Sequence, residues 1–157
     1  MIITMQSIIE AERAIRPYVR RTPVMEVDPK DFGVDWGGRL TLKLEGLQHA
    51  GSFKPRGAFT TLLANGRETR DLVAVSGGNH GAAVGYAAQA LGLKATIFVP
   101  TFAPAAKVEK IKSYGAEVRL VGDKIEACVF IAPTPSLPAR SWLATLFVKE
   151  TIDEQDR

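Results

Sequence analysis

The sequence has a single cysteine, two histidines and little imbalance of charge. One thiol cannot form a disulfide within the chain, and Cys128 lacks the Cys-x-x-Cys or Cys/His neighbourhood of a metal site. The 20 basic and 17 acidic residues leave a net charge of +3, and no Lys/Arg cluster is interleaved with aromatic residues. We therefore expect neither a structural metal nor a nucleic-acid partner.

The sequence also lacks any long hydrophobic run. Glu10, Glu12 and Arg13 interrupt the region where a signal peptide would have its apolar segment. No apolar stretch approaches the length that a membrane-spanning helix needs. Since a lone cysteine suits a reducing compartment, these features predict a soluble, cytoplasmic protein without a membrane partner.

The sequence does contain a regular alternation of short apolar runs and helical patterns. Apolar runs at 72–75, 95–99 and 116–121 predict buried strands, and helical patterns at 79–91 and 104–114 lie between them. This order is typical of parallel βαβ units, whose sheets are covered on both faces. We predict an α/β fold with a parallel, three-layer sheet.

Upstream of these units, three further elements are predicted. Ser7-x-x-Glu10 is the pattern of a capping box and predicts the start of a first helix. Alternating leucines between 39 and 45 predict a half-buried strand. Residues 52–64 can form a helix with Ser52 as its N-cap.

The segment Gly51-Ser52-Phe53-Lys54-Pro55-Arg56-Gly57-Ala58 places a lysine in the first turn of that helix. The positive end of the helix dipole, nearby cationic charge and apolar neighbours all favour the deprotonated, nucleophilic form of a lysine. A lysine in an arbitrary helix start is most often solvated. Here Arg56, Phe53 and Pro55 favour Lys54 as a reactive amine instead.

A second segment, Ser76-Gly77-Gly78-Asn79-His80-Gly81, follows an apolar run and opens a helical pattern. Open parallel sheets bind ligands at the carboxyl ends of their strands, and a glycine-rich helix start favours a phosphate or a carboxylate. The side-chain amide of Asn79 is suited to donate a hydrogen bond to a phenolic oxygen. The alternative is that Asn79 is only the N-cap of the helix. We interpret His80 as structural or solvated rather than as a general base.

Together, Gly51-Ser52-Phe53-Lys54-x-Arg56-Gly57-Ala58 and Ser76-x-Gly78-Asn79-His80-Gly81 resemble the serine/threonine dehydratases, or threonine ammonia-lyases. These are pyridoxal-phosphate enzymes of the group that includes the tryptophan synthase β chain. The resemblance covers roughly residues 5–123. It implies a tryptophan synthase β-like fold, with residues 1–123 forming the N-terminal part of a dehydratase domain.

The resemblance also implies roles for these residues in removing water from L-threonine or L-serine, giving a 2-oxo acid and ammonia. Lys54 would hold the pyridoxal 5'-phosphate cofactor covalently and move the α-proton, with Asn79 bonded to the ring oxygen and Phe53 packed near the ring. The pocket for the carboxylate of the amino-acid substrate would be lined by Ser76, Gly77, Gly78 and His80. Serine racemases of this group tend to carry a serine where this chain has Gly77, which disfavours a racemase. A homo-oligomer is implied for a full-length protein.

The resemblance does not extend to residues 124–157, where Pro133, Pro135 and Pro138 break the regular pattern. This part resembles neither the glycine-rich phosphate loop of the family nor its contact to the pyridine nitrogen. We interpret it as a divergent tail, either disordered or the product of a truncation or a shifted reading frame. Three interpretations stay open: an impaired lyase, a non-catalytic remnant or isolated lobe, and a phosphate-binding α/β module unrelated to pyridoxal.

Overall fold

The computed structural model describes residues 3–35, 37–64 and 71–123. The interpretation of 124–157 as a divergent tail therefore falls outside the described residues. None of the described helices combines the length and apolar character that a membrane crossing requires. The elements, in chain order, are α1 (Met5–Ile15), β1 (Val24–Val27), β2 (Leu40–Lys43), α2 (Lys54–Ala64), β3 (Asp71–Val75), α3 (Asn79–Leu91), β4 (Lys94–Val99), α4 (Ala105–Lys112) and β5 (Glu117–Leu120).

Helix α1 begins earlier than the sequence pattern indicated. Its N-cap is Thr4, whose hydroxyl accepts from the Ser7 amide at 3.1 Å, while the Ser7 hydroxyl accepts from the Thr4 amide at 3.0 Å. The predicted Ser7–Glu10 capping box is therefore wrong. Glu10 instead accepts a side-chain hydrogen bond from Gln6 at 2.7 Å. A hydroxyl at the third helical position can close the box because it reaches the same cap backbone that a glutamate would.

Strands β1 and β2 pair antiparallel, from Val24 opposite Lys43 to Val27 opposite Leu40. In β2 the side chains alternate between partly buried leucines and exposed polar residues, as predicted for a half-buried strand. Leaving β2, the chain makes two short 3-10 turns before it enters α2.

Strands β3, β4 and β5 form a parallel sheet in that order, with β4 in the centre. Helix α3 connects β3 to β4, and α4 connects β4 to β5. The predicted parallel α/β sheet is confirmed, and α3 occupies the predicted range, 79–91. The two crossovers place the loops after β3 and β4 at the same edge of the sheet, which is the edge that binds ligands in open parallel sheets.

The sheet buries side chains on both faces. On one face, Ala74 and Ile97 join a core shared with α2, α3 and α4, in which Phe59 and Ile111 are also fully buried. On the other face, Val75 and Phe98 form a smaller cluster. Burial on both faces explains why β3 and β4 are continuous apolar runs rather than alternating ones.

Candidate active site

Lys54 is the first residue of α2, and the turn before it is unusual. Ala50 and Gly51 both have positive φ, 58° and 72°, so the chain reverses sharply before entering the helix. An alanine in this region is uncommon and strained. Because the helix begins at Lys54, the predicted N-cap role of Ser52 is wrong: within the described residues, its buried hydroxyl makes no hydrogen bond. The predicted first-turn position of Lys54 is confirmed.

A cavity of about 220 Å³ opens beside Lys54. The Lys54 amine lies 5.0 Å from the centre of the Phe53 ring. His80, from the first turn of α3, lines the cavity from the neighbouring helix. The described lining consists of Phe53, Lys54, Gly57, Ala58, Thr60, Thr61 and His80.

His80 is mostly buried, and its surroundings oppose protonation. Burial lowers the pKa of the imidazole, and the positive charge of Lys54 lowers it further. These effects favour the neutral imidazole, which can accept or donate a hydrogen bond in the cavity. The other histidine, His49, packs against Tyr86 with ring centres 4.6 Å apart.

The loop Ser76–Gly78 follows β3 at the carboxyl edge of the sheet. The Ser76 amide donates to Phe98 O at 3.0 Å, and the Ser76 hydroxyl accepts from the Gly78 amide at 3.1 Å. Gly78 is the N-cap of α3, so Asn79 is the exposed first residue of the helix and not its cap. The first N–H groups of α3 have no partner in the preceding turn of the helix, which makes this helix start suited to an anion.

Two glycines in this segment have no room for a side chain. A Cβ added at Gly77 would lie 2.9 Å from the Ala103 Cβ. At Gly81 it would lie 2.6 Å from Ser76 O and 3.0 Å from the Ile111 Cδ1. The glycines thus let the loop and the start of α3 pack directly onto the segment after β4 and onto α4.

The structure brings together only part of the predicted site in one cavity. Lys54, Phe53 and His80 line it, whereas Asn79 and the loop residues lie on the adjoining segment but not in its described lining. Sequence reasoning did not assign four further lining residues to the site, Thr60 and three that share a helical face with Lys54, namely Gly57, Ala58 and Thr61. The spacing of Gly57, Ala58 and Thr61, which lie three, four and seven residues from Lys54, is the signal that places them on one helical face.

Arg56 also differs from expectation. Its side chain turns to Glu45, with Nε donating to Oε2 and Nη2 donating to Oε1, both at 2.8 Å. The positive charge expected beside Lys54 is therefore paired with a carboxylate. Among the described residues, no three His, Cys, Asp or Glu side chains are grouped so that they could hold a metal ion.

Comparison with known proteins places these features in a family. Residues 15–134 match the family described as "Pyridoxal-phosphate dependent enzyme". The chain belongs to this family. The match contains Lys54, the loop after β3 and the whole parallel sheet.

Individual relatives agree with this assignment. The L-threonine ammonia-lyase of Thermotoga maritima is 40% identical over 123 residues, which cover 77% of this chain and 30% of that protein. The crystal structure of a T.th. threonine deaminase aligns with a TM-score of 0.71 and 39% identity, over 83% of this chain and 41% of that one. Maize serine racemase aligns with a TM-score of 0.69 and 40% identity, over 82% and 39%. The chain spans about a third of the length of the curated relatives it matches.

Proposed function

We propose that this chain carries the lysine-bearing part of a pyridoxal-phosphate-dependent ammonia-lyase. The reaction is removal of water from L-threonine or L-serine, giving a 2-oxo acid and ammonia. The observation that carries the proposal is the Lys54 amine in a cavity with Phe53 and His80, next to the glycine-rich start of α3. The relatives named as threonine ammonia-lyase and threonine deaminase support the same substrate class.

The residues present fit pyridoxal 5'-phosphate. Lys54 lines a cavity beside the Phe53 ring, and a second segment supplies backbone N–H groups and the Asn79 amide. When bound, the cofactor withdraws electrons from the substrate Cα. Lys54 would bind it covalently and move the α-proton, Asn79 would bond the ring oxygen, and Phe53 would pack near the ring. Ser76, Gly77, Gly78 and His80 would bind the substrate carboxylate.

Position 77 favours elimination over racemisation. Inverting an α-carbon needs a proton donor on the face opposite to the group that removes the proton. Gly77 has no side chain to serve as one, and a side chain there would collide with Ala103. For this reason we propose a lyase, even though maize serine racemase is as similar in sequence as the threonine relatives.

The alternative is a non-catalytic remnant or isolated lobe, and the chain spans about a third of the length of its curated relatives. For the lyase, the proposed partner is a small amino-acid substrate. For a full-length protein we propose a cytoplasmic homo-oligomer.

Absorbance with added pyridoxal phosphate tests the proposal. We expect a band of the lysine-bound cofactor in the natural chain, no band in Lys54→Ala, and an unchanged band in Lys94→Ala, which removes an exposed lysine at the start of β4. A band that survives Lys54→Ala would contradict the assignment. Ammonia release from L-threonine and L-serine is measured separately, and a band without release indicates the isolated lobe.

A further inference from the structure

A network of polar side chains lies behind the first turn of α2, outside the cavity that contains Lys54. Glu45, just after β2, is its centre and is mostly buried. The Glu45 carboxylate accepts two hydrogen bonds from Arg56 at 2.8 Å and one from the Thr22 hydroxyl at 2.5 Å. The Lys43 amine donates to the Thr22 carbonyl and hydroxyl at 2.5 and 2.6 Å.

The network joins three segments that are distant in sequence. Thr22 precedes β1, Glu45 follows β2, and Arg56 belongs to the first turn of α2. Arg56 also donates to the Arg20 carbonyl at 3.2 Å. The Gln48 side chain fixes that same carbonyl by donating to it at 2.8 Å. The start of α2 is therefore bonded to the segment that enters β1 and to the segment that leaves β2.

The pairing of Arg56 with Glu45 restricts orientation as well as distance. Two parallel N–H···O bonds between a planar guanidinium and a carboxylate fix the relative orientation of both groups, which a single ammonium contact cannot do. Arg56 is two residues after Lys54, and residues at this spacing do not share a helical face. The pair thus holds the helix turn from one side while the Lys54 amine faces the cavity on the other.

We propose that Glu45 and Arg56 are positioning residues for Lys54: their forked ion pair orients the first turn of α2 so that the amine meets a bound aldehyde. Neither residue belongs to the described lining of the cavity, so the pair acts through the backbone of the turn. A lysine side chain has four rotatable bonds, so the direction in which its backbone anchor points determines which positions the amine can reach. This inference rests on the proposed function and adds two residues to its machinery.

Chemical labelling of the 157-residue chain separates positioning from folding. Pyridoxal phosphate followed by borohydride fixes the aldehyde carbon on a lysine as a secondary amine, and peptide mass spectrometry gives the rate at each lysine. Formaldehyde with the same reductant methylates accessible amines without needing a particular orientation. The ratio of the two rates at Lys54 reports its placement relative to the cofactor site.

The variants are Glu45→Gln, which removes the charge, and Arg56→Lys, which keeps the charge but loses the fork. The matched control is Arg16→Lys, because Arg16 makes a similar two-bond pair with Glu12 on the exposed side of α1. A displacement of about 1 Å can lower a rate by about 100-fold, so we expect pyridoxal-phosphate labelling of Lys54 to fall about tenfold or more in both variants. The methylation rate of Lys54 should stay within about twofold of its rate in the natural chain, because methylation needs no particular orientation. In the Arg16→Lys control both rates should match the natural chain, because that pair does not orient Lys54.

Unchanged pyridoxal-phosphate labelling in both variants would overturn the positioning role. The positioning role would also be overturned if the rates of methylation and of pyridoxal-phosphate labelling at Lys54 changed together, because local unfolding alters both. If Arg56→Lys fails to fold, Glu45→Gln makes the comparison alone, because the amide keeps only one of the two oxygens that accept from Arg56. A natural chain that labels Lys54 no faster than Lys94 would overturn the proposed function, and the positioning role with it.

Discussion

Gly81 is a residue at which one methyl group has a large effect. An added Cβ would lie 2.6 Å from the carbonyl oxygen of Ser76, a backbone atom that cannot move without shifting the loop after β3. We expect Gly81→Ala to destabilise the fold by about 2 to 3 kcal/mol, in the range of overpacked interiors. Urea unfolding measures the change.

The matched control is Gly57→Ala in α2, where an added Cβ meets nothing within 4 Å. There the substitution should stabilise the chain by about 0.5 to 1 kcal/mol, because alanine loses less backbone entropy in a helix. Changes of the same sign at both positions would show that the packing around Gly81 is looser than the structure indicates.

Because of Glu45, the free energy of unfolding should depend on pH. The hydrogen bonds from Arg56 lower the pKa of its carboxyl from 4.5 to about 2, against the opposing effect of burial. Because the folded pKa lies below the unfolded one, the stabilisation is present above pH 4.5 and is lost as the pH falls toward 2. Allowing for solvent screening of the partly exposed partner, we expect a contribution on the order of 2 kcal/mol at pH 7.

Urea unfolding at pH 7 and pH 3 checks this expectation. The difference in unfolding free energy between the natural chain and Glu45→Gln should shrink at the lower pH. Glu12→Gln is the control, since Glu12 makes its pair with Arg16 on the exposed surface of α1. A difference that is the same at both pH values would show that Glu45 keeps its ordinary pKa.

At the scale of an element, the start of α1 depends on a hydroxyl pair. Thr4 and Ser7 each accept from the other's backbone amide. Thr4→Ala should cost about 1 kcal/mol, the usual loss for a capping side chain. Glu10→Ala, which tests the box that the sequence pattern indicated, should change stability by less than about 0.5 kcal/mol, as for an ordinary surface substitution. A larger loss of unfolding free energy for Glu10→Ala in urea unfolding would support the Ser7–Glu10 capping box that the sequence predicted.

The capping error shows where local patterns stop being informative. Thr4, Ser7 and Glu10 are spaced three apart, so two overlapping capping boxes are compatible with the same sequence, and only the backbone selects one. Helix α3 had no such ambiguity, because glycines flank a small-residue helical run on both sides, and its predicted range is confirmed. Element type and sheet direction therefore follow from periodicity more reliably than the choice of cap does.

The same limit applies to the candidate site. Lys54 and the Ser76–Gly81 segment are continuous motifs, and their places at helix starts could be predicted, although the predicted N-cap of α2 is wrong. The Glu45–Arg56 pair could not, because it depends on the two turns at 45–51 and on the positive φ of Ala50, which bring a strand end against a helix start. Contacts between segments are set by tertiary packing, which neither propensity nor spacing encodes.

For the whole molecule, a column of aromatic rings connects the N-terminal elements to the helices that pack on the sheet. Phe59 of α2 is fully buried, stacks on Tyr18 at 4.9 Å and meets the edge of Tyr86 from α3 at 5.9 Å. Tyr86 continues to Tyr114, after α4, at 5.6 Å. One continuous series of ring contacts thus joins the turn after α1, helices α2 and α3, and the end of α4.

This column predicts that the described parts of the chain unfold together. Phe59→Leu keeps most of the buried volume but loses two aromatic pairs, and we expect a loss of about 2 kcal/mol. Phe102→Leu is the control, since Phe102 is 64% exposed, and its effect should stay below about 0.5 kcal/mol. In urea unfolding followed by circular dichroism, the midpoint should fall while the slope stays constant, because the same surface is still exposed in one step. A reduced slope or a second transition in Phe59→Leu would instead show that the N-terminal elements and the sheet are stable independently, joined by α2 without cooperative coupling.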